Sequence, residues 1–249
     1  MARFDITTTV ALITGANRGI GRNITTALLD AGAARVYAGA RKASSLDDLK
    51  TQYGDRLVPV VLDVTSEADV AAAVRTAPDV NLLINNAGVL YQSTGFENDV
   101  IDKARHEIEV NYLGVIRMTR AFAPVLKNNG GGTVVNIASI ASYLNFPILA
   151  PYSASKAAVL SLSFGMRPTL NAQGTRLLVV NPGPIDTDMA KDLDFDTFSP
   201  SVVSDQLLAA LNDPSIDAVF PDPMSQQMYQ NWLDDPIAAQ RAAAGELNA

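Results

Sequence analysis

The stretch Thr14-Gly-Ala-Asn-Arg-Gly-Ile-Gly21 decides the fold that this sequence predicts. It follows the apolar run at residues 9–13 and opens a helical pattern at residues 20–31, after which Gly32 is a typical helix-ending glycine. Glycines in such a turn let the backbone approach a phosphate group, and the helix N-terminus offers unpaired N–H groups and partial positive charge. The stretch therefore predicts a seat for a dinucleotide pyrophosphate, with a tight turn that binds nothing as the alternative.

Strand and helix patterns alternate along the rest of the chain. Short apolar, β-branched runs typical of a parallel sheet buried on both faces lie at residues 9–13, 35–38, 57–62, 80–84, 133–137 and 177–180. Helical stretches separate them, and the one at residues 66–74 has Ser66 as a suitable N-cap. The alternation predicts an α/β fold, a doubly wound parallel sheet of the Rossmann type. No linker divides the chain, so residues 1–249 are expected to form a single domain.

Composition excludes several classes of protein. The chain has 249 residues, 19 Lys and Arg against 26 Asp and Glu, and a formal net charge of −7, which opposes binding to nucleic acid or an anionic membrane. No apolar run is long enough to span a bilayer, and the N-terminus lacks a secretory apolar segment. Cysteine is absent and His106 is the only histidine, so no metal site is expected. A cytoplasmic protein without membrane or nucleic-acid partners is predicted.

A serine, a tyrosine and a lysine are spaced so that they can converge on one carbonyl oxygen. Ser139 follows the predicted strand at residues 133–137 and lies at a carboxyl edge, where open α/β sheets bind ligands. Tyr152 comes thirteen residues later, and Lys156 follows it by four, on the same face of a helix. An ammonium group stabilises a phenolate and lowers its pKa, which would make Tyr152 a usable general acid and base. Ser142 is a competing hydroxyl.

These motifs resemble those of the short-chain dehydrogenase/reductase family, over about residues 9–223. The resemblance implies an NADP(H)-dependent oxidoreductase acting on a ketone, an aldehyde or the corresponding alcohol, with a homodimer or homotetramer as its assembly. The thirteen-residue interval of the family selects Ser139 over Ser142. The catalytic set that it implies is Asn111, Ser139, Tyr152 and Lys156. In relatives, the residue matching Asn111 interrupts its helix and holds a water that links the lysine to solvent.

The choice of NADP(H) rests on charges beyond the second predicted strand. An NAD-binding protein would place an Asp or Glu about twenty residues past Gly21 to hold the ribose 2′-hydroxyl. Here the chain has Arg41 and Lys42 instead, and Arg18 lies in the glycine turn. A guanidinium group binds phosphate bidentately, which favours a 2′-phosphate. The alternative is that these are ordinary solvated surface charges.

The remaining cofactor contacts are implied by the resemblance. Asp63 and Val64 would meet the adenine, unless Asp63 caps the next helix instead, and residues 85–88 match the Asn-Asn-Ala-Gly motif of the family. Residues 182–187 would meet the nicotinamide. The full set predicted to contact the cofactor is Gly15, Asn17, Arg18, Gly19, Ile20, Gly21, Arg41, Lys42, Asp63, Val64, Asn86, Ala87, Gly88, Tyr152, Lys156, Pro182, Gly183, Ile185 and Thr187.

Three further expectations concern the second half of the chain. Residues 188–200 are predicted to form the substrate loop, and residues 224–249 form a C-terminal tail that Trp232 would anchor to the body or to a neighbouring subunit. Pro168 predicts a kink or an early stop in the helix that follows Tyr152, because proline cannot donate a hydrogen bond there.

Two alternative functions stay open: a 3-oxoacyl-carrier-protein reductase and a non-catalytic NADP-sensing protein.

Overall fold

The computed structural model describes residues 4–193 and 195–245. A single parallel sheet of seven strands runs through these residues in the order β3-β2-β1-β4-β5-β6-β7. Its strands are β1 (Val10–Thr14), β2 (Arg35–Ala40), β3 (Leu57–Val61), β4 (Leu82–Asn85), β5 (Gly132–Ile137), β6 (Thr175–Val180) and β7 (Ala218–Val219). The six predicted strands are confirmed within two residues at each end. The two-residue β7 was not predicted, since so short an edge strand leaves no periodic pattern.

Helices cover both faces of the sheet. They are α1 (Gly19–Asp30), α2 (Asp47–Tyr53), α3 (Glu67–Thr76), α4 (Val100–Glu107), α5 (Gly114–Asn128), α6 (Ala150–Ala172), α7 (Ser201–Asn212), α8 (Pro223–Asp234) and α9 (Pro236–Ala243). Both predicted caps are confirmed. Gly32 has a φ of 100° and closes α1, with its N–H donating to the carbonyl of Leu29, and the Ser66 hydroxyl accepts from the N–H of Asp69 at the start of α3.

Two apolar layers enclose the sheet, as expected when both faces of a parallel sheet are buried. On one face, Ile24 and Leu28 of α1 and Leu207 of α7 pack against the strands. On the other face, Phe122 of α5 and Val159 of α6 do the same. The predicted doubly wound α/β fold of the Rossmann type is therefore confirmed.

The strand order reverses between β1 and β4, which pair side by side although they are far apart in sequence. A crevice opens beyond the carboxyl ends of the strands at such a reversal. The glycine turn follows β1, residues 86–88 follow β4, and Ser139 follows β5. The fold thus brings three separate motifs to one edge of the sheet.

The predicted early stop at Pro168 is wrong. Helix α6 continues through Pro168 to Ala172. A proline removes only one hydrogen bond of the helix, and the last turn is held by tertiary contacts: Leu170 is buried, and Arg167 pairs with Asp217 at 3.5 Å. The guanidinium of Arg167 also lies 5.5 Å from the ring centroid of Phe164.

The C-terminal segment is helical and lies against the body. Trp232 of α8 contacts Tyr143 edge to face, with ring centroids 5.1 Å apart, so anchoring to the body is confirmed. The predicted domain, substrate loop and tail also include residues 1–3, 194 and 246–249, which lie outside the described residues. No helix in the described part of the chain is both long and apolar enough to cross a membrane.

Candidate active site

A cavity of about 850 Å³ opens at the carboxyl ends of the strands. Every residue predicted to contact the cofactor lies on its wall, and so does Ser139. Among the predicted catalytic residues, Asn111 alone lies behind the wall, where it is 1% exposed. One cavity therefore joins the glycine turn to the serine, tyrosine and lysine.

The glycine turn needs its glycines for reasons of backbone geometry. Gly15 and Gly19 have φ values of 66° and 53°, which side-chain-bearing residues rarely adopt. At Gly21, a Cβ would lie 2.3 Å from both the carbonyl oxygen of Gly15 and Nδ2 of Asn86. Asn86 itself ties the turn to β4, because Nδ2 donates to the carbonyl oxygen of Thr14 at 2.8 Å. Three glycines and one amide thus fix a tight turn facing the cavity.

The charges around this turn suit an anionic group. Helix α1 begins at Gly19 without a side-chain cap, so its first N–H groups stay open to a ligand. Arg41 and Lys42 are exposed on the cavity wall and form no ion pair within the described residues, whereas Arg18 pairs with Asp188 at 3.4 Å. Uncapped N–H groups and unpaired cations fit a dinucleotide that carries an additional phosphate.

Asp63 forms part of the cavity wall and does not cap a helix. Its Oδ1 accepts hydrogen bonds from the backbone N–H and the hydroxyl of Thr65, at 2.9 and 2.7 Å. Burial opposes ionisation, but these bonds and the charge of Arg41 hold the Asp63 pKa below its ordinary value. The cap of α3 is Ser66, so the capping alternative is wrong. Val64 also lies on the wall, next to Asp63.

Ser139 and Tyr152 meet at the inner end of the cavity. The Ser139 hydroxyl accepts from the N–H of Ala141 at 3.1 Å and lies 3.3 Å from the carbonyl oxygen of Pro182, which positions it rigidly. Ser142, the competing hydroxyl, points elsewhere: it donates to the backbone carbonyl of Lys156 at 3.0 Å and is absent from the cavity wall described here. The geometry favours Ser139 as the hydroxyl that can reach a ligand.

Burial dominates the acid–base properties of Tyr152 and Lys156. Burial raises the pKa of Tyr152 to about 12; the Ser139 hydroxyl opposes this shift and the Glu107 carboxylate adds to it. Burial also lowers the pKa of Lys156 to about 8. The expectation that the lysine brings the tyrosine pKa below its ordinary value is therefore wrong for the protein by itself. Nζ of Lys156 donates to the carbonyl oxygen of Ile137 at 2.9 Å and lies 5.8 Å from the Tyr152 ring centroid.

Asn111 lies in a π-helical segment, Ile108–Leu113, between α4 and α5. The predicted interruption of the helix is present. Its Oδ1 accepts from the N–H of Val89 at 2.8 Å, and its Nδ2 donates to the Val89 carbonyl and to Ser155, each at 2.9 Å. A Cβ at Gly88 would lie 3.3 Å from Oδ1 of Asn111 and 3.6 Å from Nζ of Lys156. Asn111 thus positions residues 88–89 beside the lysine from behind the wall.

The neighbouring Asn85 is structural. Its Nδ2 donates to Oδ1 of Asn136 at 2.8 Å and to the hydroxyl of Thr119 at 3.1 Å, while Nδ2 of Asn136 donates to Ser163 at 2.9 Å. This buried polar chain joins β4 and β5 to α5 and α6. It therefore fixes the spacing of the strands from which the site residues extend.

Residues 182–187 form a further part of the cavity wall and contact the glycine turn. The N–H of Gly183 donates to the carboxylate of Asp222 at 2.8 Å. The Thr187 hydroxyl donates to the carbonyl of Ile185 at 3.2 Å, and a Cβ at Gly19 would lie 3.1 Å from the Thr187 methyl group. Hydrogen bonds within this segment and its packing on the glycine turn hold the two sides together.

Part of the cavity wall is apolar, and the predicted substrate loop contributes Met189, Leu193 and Phe195 to it. The rest of this apolar wall was not predicted; it comes from three other segments and includes Leu90, Phe146, Leu149, Met224 and Met228. Phe146 and Leu149 lie between Ser139 and Tyr152 in the sequence, and this position could have indicated that they line the site. The two methionines lie on α8, whose start is signalled by Asp222 followed by Pro223.

His106, the only histidine of the chain, lies on the cavity wall. It is exposed, and its Nδ1 is 2.7 Å from the hydroxyl of Tyr91. Nowhere among the described residues do three His, Cys, Asp or Glu side chains come together as a metal site requires.

Comparison with known proteins identifies the family. The profile of the short chain dehydrogenases matches residues 9–197. An uncharacterised oxidoreductase of Staphylococcus saprophyticus is 32% identical over 217 residues, which make up 83% of this chain and 92% of the relative. A solved short chain dehydrogenase from Burkholderia cenocepacia, in complex with NADP, has a TM-score of 0.90 and 40% identity, covering 96% of this chain and 99% of that one. A 3-ketoacyl-(acyl-carrier-protein) reductase from Brucella melitensis, complexed with NADH, has a TM-score of 0.77 and 27% identity, and the match covers 87% of this chain and 97% of that reductase.

Proposed function

We propose that this chain, which belongs to the short-chain dehydrogenase/reductase family of oxidoreductases, reduces the carbonyl group of a ketone or aldehyde with NADPH. One observation carries the proposal. Ser139, Tyr152 and Lys156 line the same cavity as an uncapped helix N-terminus and two cations that have no ion-pair partner among the described residues. A nicotinamide cofactor supplies the hydride when it is bound.

The residues divide into those that bind and those that handle the proton. Backbone N–H groups of the glycine turn would hold the pyrophosphate, and Arg41, with Lys42 and Arg18, would hold a 2′-phosphate. Lys156, whose Nζ is fixed by the carbonyl of Ile137, would hold a ribose hydroxyl. The remaining predicted contacts, at residues 63–64, 86–88 and 182–187, would shape the cofactor seat.

Tyr152 is proposed as the proton donor. With a pKa of about 12 it keeps its proton at neutral pH, and an alkoxide is more basic than a phenolate, so transfer from the phenol to the forming alkoxide is downhill. Ser139 would donate a hydrogen bond to the same oxygen and fix its position. Asn111 acts as a positioning residue through Val89 and Ser155. A protonated phenol is the form required for reduction.

The preference for NADP(H) is proposed from the charges at Arg41 and Lys42 and from the NADP complex of the Burkholderia relative. A charge-assisted contact to phosphate contributes ~1.5–3 kcal/mol, or about one to two decades of affinity, that NADH cannot gain. We expect kcat/KM to favour NADPH over NADH by at least tenfold.

The test is a kinetic comparison of the two cofactors with a panel of carbonyl compounds. Arg41→Ala should reduce the preference mainly by raising the KM for NADPH, and Ala40→Asp should reduce it further by repelling the 2′-phosphate. Equal or better use of NADH by the unmodified protein would contradict the assignment of NADP(H). Tight NADPH binding without turnover of any carbonyl compound would instead favour the NADP-sensing alternative.

We also propose that the chain forms a homodimer or homotetramer. Large apolar side chains on two helices are more than half exposed, Ile101 at 59% on α4 and Phe164 at 53% on α6. Exposed apolar side chains of this size are typical of protein interfaces when they cluster. Light scattering during size-exclusion chromatography should give the mass of two or four chains, and the mass of a single chain would contradict the proposal.

A further inference from the structure

The wall around the reactive phenol is apolar. Tyr152 packs with Ala141 and Leu149 in a buried cluster, and Leu90, Phe146 and Leu193 pack against that cluster. The Phe146 ring meets that of Phe195 edge to face, with centroids 6.0 Å apart. A substrate whose carbonyl oxygen reaches Tyr152 must therefore place the rest of its structure against hydrocarbon.

Most of the positive charge lies at the other end of the same cavity, where Arg18, Arg41 and Lys42 of the described wall surround the glycine turn. Lys156 is the exception: it lies beside Tyr152, and its Nζ is held on the carbonyl of Ile137. Residues 188–200 contain four aspartates and one lysine, and this lysine, Lys191, lies on a neighbouring groove rather than on the cavity. A carboxylate against the apolar wall, away from Lys156, would lose its hydration without gaining a partner.

Helix α8 completes this apolar end and is held firmly in place. The Asp222 carboxylate accepts from the N–H of Ser225 in the first turn of α8 and from the N–H of Gly183, each at 2.8 Å, so one side chain joins the helix to the predicted nicotinamide segment. The ring of Tyr229 stacks on Phe220 at 3.9 Å.

Helix α9 adds a second attachment to the loop that carries Phe146. The side-chain amide of Gln240 accepts from the N–H of Asn145 at 2.8 Å and donates to its carbonyl at 2.7 Å. These contacts present Met224 and Met228 to the cavity at a fixed position. Methionine side chains adapt to different apolar shapes, which suits a class of substrates rather than one molecule.

We infer that α8 is the specificity-determining wall of the site and that the substrates are uncharged carbonyl compounds with an extended apolar part. The inference rests on the proposed reductase function and adds the substrate class. The start of α8 is bonded to Gly183 of the predicted nicotinamide segment, and Met228 lies one helical turn beyond Met224. Met228 is therefore assigned the contact with the part of the substrate farthest from the carbonyl.

The first experiment measures NADPH oxidation with methyl alkyl ketones from 2-butanone to 2-octanone. We expect kcat/KM to rise about fourfold for each added methylene until the apolar end is filled. In a matched pair of methyl ketones, methyl 7-oxooctanoate should exceed 7-oxooctanoate in kcat/KM by at least tenfold, because only the acid carries a charge at the end of the chain far from the carbonyl. A flat series, or a preference for the acid, would overturn the inference while leaving the reductase function intact. Absence of turnover with every compound would overturn both.

The second experiment tests the assignment of α8. Met228→Ala should lower kcat/KM for 2-octanone about tenfold and change that for 2-butanone by less than twofold. Gln227→Ala is the matched control, because Gln227 is exposed beside Met228 and bonds only to Asn231 on the helix surface. Met228→Lys should raise kcat/KM for 7-oxooctanoate, whose carboxylate lies at the far end of the chain, and lower it for the methyl ester. Wild-type chain-length dependence in Met228→Ala, with no change of preference in Met228→Lys, would show that α8 does not select the substrate.

Discussion

Replacing Lys156 by Met should remove the part of the pH dependence of the free energy of unfolding that a buried ammonium group causes. Burial lowers the Lys156 pKa from 10.5 to about 8, which corresponds to roughly 3 kcal/mol of destabilisation while the group is charged. The substitution removes that charge but leaves the carbonyl of Ile137 without its donor, which costs ~1–3 kcal/mol. At pH 7 the two effects nearly cancel, and the variant should equal the wild type or exceed it slightly.

The pH dependence isolates the lysine. Its folded-state pKa lies below the unfolded-state value, so between about pH 8 and 10.5 the unfolded chain binds more protons, and wild-type stability rises with pH. From pH 7 to pH 10 this gain is on the order of 2–3 kcal/mol, and the variant lacks it. The stability of Lys156→Met relative to the wild type should therefore fall by a similar amount over that range. Tyr152 has a raised pKa in both proteins, so its contribution cancels from the difference.

The assay is urea unfolding at pH 7 and pH 10, at one protein concentration, followed by the fluorescence of Trp232. Trp232 is the only tryptophan and packs on Tyr143, so its emission reports the folded state. Lys127→Met, at an exposed position on α5, controls for the change in net charge. A relative stability of Lys156→Met that stays constant within ~0.5 kcal/mol would refute the reasoning, because a desolvated ammonium must titrate between these pH values.

Three further outcomes follow from the site. Ser139→Ala should lower kcat by ~10²-fold or more, whereas Ser142→Ala should stay within about threefold of the wild type in steady-state kinetics. The reverse order would show that Ser142, and not Ser139, contacts the substrate. Gly21→Ala should destabilise the protein by ~1–3 kcal/mol in urea unfolding, because its Cβ would overlap a backbone carbonyl. Gly165→Ala, at a helical glycine with open space around it, should stabilise the protein by up to ~1 kcal/mol. Equal effects of the two substitutions would show that the glycine turn is not crowded at Gly21. Gly88→Ala should lower kcat/KM with NADPH by about tenfold without a comparable loss of stability. The added Cβ would lie 3.3 Å from Oδ1 of Asn111, which its hydrogen bonds hold in place, so the cofactor wall at residue 88 would have to shift instead. Unchanged kinetics would show that this wall has room to relax.

The sequence was sufficient for six of the seven strands, because these are short apolar runs between clear turns, and each falls within two residues of its predicted bounds. The glycine turn and the serine, tyrosine and lysine spacing were also readable, since each is a local pattern. The early stop predicted at Pro168 is wrong, because packing of Leu170 and the Arg167–Asp217 pair stabilise the last turn of α6. Local propensity contains no information about such contacts.

The acid–base state of the site and the contribution of α8 to its apolar end could not be read from the sequence. The Tyr152 pKa depends on how completely the fold removes the phenol from water, and spacing alone suggested only the influence of Lys156. Met224 and Met228 reach the cavity because Asp222 joins α8 to Gly183 across 39 residues of sequence. Contacts at that separation follow from the folded chain and not from any local motif.

The most direct test of the central claim is turnover by Tyr152→Phe. The change removes the phenolic proton and keeps the ring in its apolar cluster, so the fold and NADPH affinity should be retained. A general acid contributes ~10²–10⁴-fold in rate, and we expect NADPH oxidation with the best ketone to fall by that factor while NADPH binding, measured by fluorescence titration, changes little. A variant that keeps a tenth or more of wild-type turnover would contradict the assignment of Tyr152 as the proton donor.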